Sequence, residues 1–327
     1  MVISTLLIPI VTPIALVIAL TWDLVTRTPR LRRSRVVILI STLILEEFLG
    51  RIVIFATWLI SPFGTRVQGP KSQARYRYVM TKWASTLLGT FSRIMPLPID
   101  TSELDDSLLG GNAIVIGRHR SLLDAVVPAT VFGKRGLAAL YTMKDSLQWA
   151  PNIDIVGQRM GHVFVSRSSN DLEGELEPIR KLAARIDDNS VGVIFPEGTF
   201  FTEKRKQRAL KSIAKRNPER LSLAERLNYV LPPRPGGTLA LLEGAPNADV
   251  VLLGHVGFEP FGSLGQIIAN AGSQHRIHIR AWRFARDTIP TDVDAQVQWL
   301  FERWAELDEW IASKHPLPGV TAQYDGP

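Results

Sequence analysis

"NAIVIGRHRSLLDAVVPATVFG", residues 112–133, decides the fold. Residues 112–117 form a short apolar run bounded by glycine, which reads as a strand buried on both faces. Residues 121–133 read as the helix that follows it. The alternation continues, with strands expected over 136–143, 161–167 and 190–199, the last running into a turn at "FPEGT". A helix fits 171–188, a strand fits 248–258, and a half-exposed strand fits the alternating "HRIHIRAWRF" of 275–284. Strands and helices in this order imply an α/β fold, a mostly parallel sheet flanked by helices. Residues 292–315 read as one amphipathic helix whose Trp299–Leu300–Trp304–Leu307–Ile311 stripe belongs in a core. Three regions result: residues 1–65 as membrane-anchoring helices, 75–285 as the α/β domain, and 286–327 as a C-terminal helix and tail.

The N-terminal region is different in kind. Val2 to Trp22 carries no charge, over roughly the length of a bilayer span. It lacks the basic start and small-residue cleavage site of a signal peptide. The loop "RTPRLRRSR" (27–35) follows, and then residues 36–60 are apolar except for Glu46, Glu47 and Arg51. Three charges at mid-membrane cost about 8 kcal/mol, close to what the apolar residues return. The stretch behind carries Arg66, Lys71, Arg75, Arg77 and Lys82 without an acid. Both flanks are thus basic and tend to stay on the cytoplasmic side. The segments are either two transmembrane helices or a shallow hairpin in one leaflet, and the flanking charge favours the hairpin.

Composition narrows the chemistry. The 327 residues carry a formal charge of +7, which suits an anionic partner, and 46% are hydrophobic. There is no cysteine, so disulfides, a thiol nucleophile and Cys-ligated metal are excluded. Residues 203–228 hold nine Lys/Arg against three Glu, as a solvated helix or as a grip on anionic headgroups.

His119 ends the first expected strand, and Asp124 lies in the first turn of the helix behind it. An open α/β sheet presents side chains to a ligand at that place. A carboxylate on one imidazole nitrogen fixes the tautomer and leaves the other to take a proton from a hydroxyl. Alone, a histidine and an aspartate at this spacing prove little. Two further strand ends accompany them: "GHVFVSR" (161–167), where Arg167 is either solvated or an oxyanion clamp, and the turn "FPEGT" (195–199).

His119 to Asp124, then Gly161, Phe164 and Arg167, then Phe195 to Thr199, in this order, resemble the glycerolipid acyltransferase family, which includes the 1-acylglycerol-3-phosphate acyltransferases. "FTEKRKQ" (201–207), "YVLPPRPGG" (229–237) and the 289–310 tail are similar to its eukaryotic-type branch, which includes lysocardiolipin acyltransferases. The resemblance covers about residues 75–316. It implies a glycerol-3-phosphate acyltransferase-like fold and a membrane-associated enzyme at the cytoplasmic face. By the resemblance, His119 is the general base toward a lysophospholipid hydroxyl, and Asp124 orients and charge-balances it. Acyl-CoA or acyl-carrier protein is the donor, with no metal and no other cofactor. Arg167 is expected to hold the acceptor's phosphate, with Arg118 as a second candidate. Gly161 and Phe164 belong to the same motif, Glu197, Gly198 and Thr199 shape the acceptor pocket, and Arg234 and Gly236 border the donor side.

The sequence departs from the family pattern in two places. Arg118 stands where the family usually has Asn, and Gly254 and Val256 stand where this branch tends to be polar. The acceptor implied most simply is lysophosphatidic acid; lysocardiolipin or lysophosphatidylinositol is the alternative. A serine hydrolase needs Gly-x-Ser-x-Gly, which the near match "GSLG" (262–265) lacks. A nucleic-acid-binding role fits the charge but not the two apolar N-terminal segments, so no nucleic-acid partner is expected.

Overall fold

The computed structural model describes residues 2–61, 69–165, 172–273 and 275–314. Three long helices come first: α1 (Val2–Val25), α2 (Arg32–Ile60) and α3 (Pro70–Ile94). The remainder alternates: β1 (Ile99–Glu103), β2 (Ala113–Gly117), α4 (Val126–Gly133), β3 (Ala138–Lys144), α5 (Pro151–Met160), β4 (Val163–Val165), α6 (Leu172–Ala183) and β5 (Ser190–Ile194). Then follow α7 (Glu203–Arg216), α8 (Leu221–Glu225), α9 (Pro235–Gly244), β6 (Asp249–Val256), α10 (Leu264–Asn270), β7 (Ile277–Phe284) and α11 (Val293–Lys314).

Among the described residues seven strands form one sheet, in the order β1-β7-β6-β2-β5-β3-β4. Every pairing is parallel except β6 with β7. β2 sits in the middle, and its side chains divide between the two faces as a two-residue period demands. Ile114 and Ile116 join a core with α6, α9 and α11, while Ala113 and Val115 join a second core with α3 and α4. All four are fully buried, so the apolar run at 113–116 has no polar face. β7 alternates buried and half-buried residues, as its sequence implies for a strand with one covered face. The aromatic stripe of α11 is buried against the sheet, with Trp304, Leu307 and Ile311 wholly inaccessible.

The N-terminal helices meet at a tight corner. Asp23, almost fully buried, accepts hydrogen bonds from the Ser34 amide and hydroxyl and from the Arg33 amide. Arg27, Arg30 and Leu31 take left-handed backbone angles there. The corner is fastened to the sheet domain: Arg30 Nη1 donates to the Gly272 carbonyl at 2.7 Å and Arg32 Nη1 to the Ala269 carbonyl at 3.1 Å.

Among the described residues, no helix is long and apolar enough to cross a membrane, which corrects the reading of transmembrane helices. The reason in α2 is its central charges. Glu46 turns toward α3 and accepts a hydrogen bond from Thr90, and Glu47 pairs with Arg51 at 3.8 Å.

Candidate active site

Gly117 closes β2 because a side chain has no room: a Cβ would lie 2.8 Å from the Phe195 ring. That ring stacks on the His119 imidazole with centroids 4.7 Å apart, and Phe200 lies against the same imidazole at 4.4 Å. His119 therefore leaves the C-terminal end of the central strand, held by two aromatic rings and about one-fifth exposed. Its Nδ1 is 3.5 Å from Asp124 Oδ2, which leaves Nε2 as the nitrogen for a substrate. The contact is long for a hydrogen bond, and such contacts commonly tighten once a substrate is bound.

Asp124 is inaccessible, at 1% exposure. It forms a capping box with Ser121, the device that starts the helical segment. Oδ2 accepts the amides of Arg120 and Ser121, and Oδ1 accepts the Ser121 hydroxyl at 2.8 Å. His255 Nε2 stands 3.2 Å from Oδ1. Burial pushes the Asp124 pKa up, but His255, His119 and their hydrogen bonds outweigh it and hold the carboxyl well below the usual range.

Glu197 comes from the "FPEGT" turn, closed by the Gly198 amide donating to the Phe195 carbonyl with Gly198 at φ 70°. The side chain does not project outward from the turn. It turns inward, 2% exposed, with Oε1 accepting the His119 amide at 2.7 Å and Oε2 the Leu231 amide at 2.9 Å. Burial pushes its pKa up to about 7, against the two amides and Arg118, which favour the anion. Glu197 thus ties the main chain at His119 to the segment 228–231. α11 grips that segment in turn: Asp308 accepts the amides of Asn228, Tyr229 and Val230, and Trp304 Nε1 donates to the Leu231 carbonyl.

Arg118 is corrected as a phosphate ligand. It is 2% exposed, and its guanidinium pairs with Glu259 and donates to the carbonyls of His255 (2.7 Å) and Tyr229 (3.2 Å). Burial opposes ionisation of Glu259, but Arg118 and Arg120 hold its pKa low. The arginine therefore neutralises a buried acid under the His119 loop. Arg118→Ala strands that charge, and the expected outcome is a stability loss of about 3–5 kcal/mol, read as a lower Tm. An unchanged Tm with a severalfold higher acceptor KM would restore Arg118 as a ligand.

The other candidates are spread along the sheet edge. Arg167 lies outside the described residues. Phe164 is half-buried in the edge strand β4, with β3 and β5 between it and β2. Gly161 ends α5 at φ 74°, and Arg185 occupies the space where a side chain would stand. Thr199 is half-buried. Arg234 is exposed and its amide donates to the Pro196 carbonyl, so the fourth motif touches the third. Gly236 lies in the first turn of α9, with only Leu176 near the place of a Cβ. Sequence reasoning misses His255, Glu259 and Asp308. His255 ends a strand that the apolar pattern does reveal, and that placement is its one available signal.

Residues 98–237 match the family model described as acyltransferase. The chain is 23% identical over 247 residues to a lysocardiolipin acyltransferase of Gallus gallus, covering 73% of this chain and 64% of that protein. It is also 23% identical over 218 residues to 1-acyl-sn-glycerol-3-phosphate acyltransferase epsilon of Mus musculus, covering 63% and 59%. The chain thus spans less than two thirds of the length of either relative. The fold is similar to that of PlsC, the 1-acyl-sn-glycerophosphate acyltransferase of Thermotoga maritima, with a TM-score of 0.58 at 14% identity. That likeness covers 88% of this chain and all of PlsC. The match to the acyltransferase model thus spans residues 98–237, and the similarity to the lysocardiolipin acyltransferase is longer, at 247 residues.

Proposed function

We propose, from the match of residues 98–237 to the acyltransferase model and from the site geometry, that this protein transfers a fatty acyl group from a thioester to the hydroxyl of a lysophospholipid. The observation that carries the reading is a partly exposed His119 with Nδ1 toward a buried, ionised Asp124 and Nε2 left over. In this scheme Nε2 takes the proton of the acceptor hydroxyl as its oxygen attacks the thioester carbonyl. The C–S bond breaks and the departing sulfur takes the proton from His119. An ester and a free thiol leave, and the imidazole returns to its starting form. Asp124 offsets the charge that His119 carries in between. Coenzyme A or an acyl-carrier protein supplies the thioester at the cytoplasmic face. Arg167 is the proposed phosphate contact, Glu197, Gly198 and Thr199 fix the wall beside His119, and Arg234 and Gly236 border the donor.

Lysophosphatidic acid is the acceptor we favour, as the simplest substrate for the motif set. The similarity to a lysocardiolipin acyltransferase supports a second reading, acylation of another lysolipid. Purified protein with labelled oleoyl-CoA and a panel of lysophospholipids tests both. Labelled phosphatidic acid as the main product bears out the first reading, and labelled cardiolipin species bear out the second. No labelled phospholipid from any acceptor overturns the proposal.

The lipid surface is the proposed partner of α1 and α2. Ile14, Val17 and Val25 on α1, and Ile52, Phe55 and Ile60 on α2, are among the large apolar side chains left exposed. Exposed apolar surface of this extent marks an interaction site. The hydrogen bonds from Arg30 and Arg32 to residues 272 and 269 support a hairpin whose corner stays beside the catalytic domain. Single-cysteine variants Thr28→Cys and Ser313→Cys test this in intact cells with a membrane-impermeant maleimide. Both should stay unlabelled until the membrane is opened. Labelling of the Thr28→Cys protein alone in intact cells would instead mean that the corner lies across the membrane from the catalytic domain.

A further inference from the structure

The geometry points to His255 as a positioning residue that sets the basicity of His119 through Asp124. This inference rests on His119 being the base. β6 runs beside β2, with Gly117 opposite Leu253, so His255 lies next to the chain that carries His119. Its side chain is 3% exposed and packs edge-on against Phe258. Nε2 stands 3.2 Å from Asp124 Oδ1 and 3.2 Å from the carbonyl oxygen of Arg118. Both neighbours accept only, so Nε2 carries the hydrogen. Nδ1 is buried and has no hydrogen-bond partner among the described residues. A second proton there would be a buried donor with no acceptor among the described residues, so the ring meets Asp124 through its Nε2 donor.

Asp124 is thus shared between two imidazoles, His119 on Oδ2 and His255 on Oδ1. The two do opposite things to the base. A carboxylate stabilises the protonated form of His119, and a hydrogen bond from His255 draws charge out of that carboxylate. With the donor in place, the carboxylate draws a proton onto His119 less strongly than an unshared Asp124 would. The same hydrogen bond fixes the carboxylate plane so that Oδ2 faces Nδ1. Arg118, Arg120, Glu197 and Glu259 also act on this cluster, and a substitution at 255 alone removes none of these side chains.

Two variants of the full chain separate this role from simple packing. Gln at 255 puts an amide N–H where Nε2–H stands; Leu fills the space without a donor. Carbethoxylation of His119, followed by peptide mass spectrometry from about pH 5 to 8, gives the pKa of that ring without any substrate. The expected result is a midpoint raised by about half a unit or more in His255→Leu and unmoved in His255→Gln. With the acceptor found active, His255→Leu should lose roughly tenfold in kcat with little change in either KM, and His255→Gln should keep most of it. An unmoved midpoint in His255→Leu, or equal shifts in both variants, overturns the inference. Failure of the catalytic reading looks different: His119→Ala would then retain activity, whatever the two 255 variants do to the midpoint.

Discussion

His119→Ala lowers kcat/KM by about 10²- to 10⁴-fold, the range expected when a positioned general base is removed. Folding survives it. The ring is about one-fifth exposed and, among the described residues, its one polar side-chain partner is Asp124 on Nδ1, so the substitution leaves no buried charge without its other contacts. A stability loss of about 1 kcal/mol from the lost stacking on Phe195 and Phe200 is the expected size. The main-chain bond from the His119 amide to Glu197 remains in the variant, so the loop keeps its anchor. A thermal scan beside the kinetic assay reads both quantities. Activity within a few fold of the unaltered protein sinks the assignment of the base.

Asp124→Ala is expected to be as damaging to turnover and far more damaging to the fold. From the sequence, both members of the pair are expected at a solvent-reachable edge, where either can be lost without unfolding. The structure corrects this for Asp124, which is 1% exposed and accepts from two amides, a hydroxyl and His255. Each buried donor left without an acceptor costs about 1–3 kcal/mol, so Tm should fall by several degrees. Asp124→Asn keeps one acceptor and should fall less. The pH dependence has a definite sign. A carboxylate held below its ordinary pKa adds stability above the unfolded value of 3.8 and loses it as pH falls through the folded value. Asp124→Ala should therefore lose most at neutral pH and converge on the unaltered protein only in strong acid. Combined with His119→Ala, it should cost little further activity, because residues that act as a unit are not additive. A Tm unchanged at neutral pH would contradict the buried, ionised Asp124.

The fold was legible where the apolar pattern was extreme. Residues 113–116 and 250–253 have no polar face, and apolar runs this short read as strands inside a sheet. β1 and α5 escaped because their patterns are weak: β1 lies at the sheet edge with no fully buried residue, and α5 mixes polar and apolar positions. The His119–Asp124 pair was legible because strand end and helix start are five residues apart. Arg118 was misread for a physical reason. Its neighbours Glu259, His255 and Tyr229 are more than a hundred residues away, and nothing local shows that the guanidinium is buried. Glu197 was seen in its turn, but the amides it serves lie 78 and 34 residues distant. Long-range polar pairing leaves no periodic trace in a sequence, so the support of the site was hidden while its centre was visible.

The most direct test of the central claim follows both products of one reaction. Purified protein is given labelled oleoyl-CoA and lysophosphatidic acid, and labelled ester and free thiol are measured together, with His119→Ala alongside. The account predicts ester and thiol appearing in equal amounts, and both falling by at least about a hundredfold in the variant. Thiol released without ester, or both formed at an undiminished rate by His119→Ala, would contradict it.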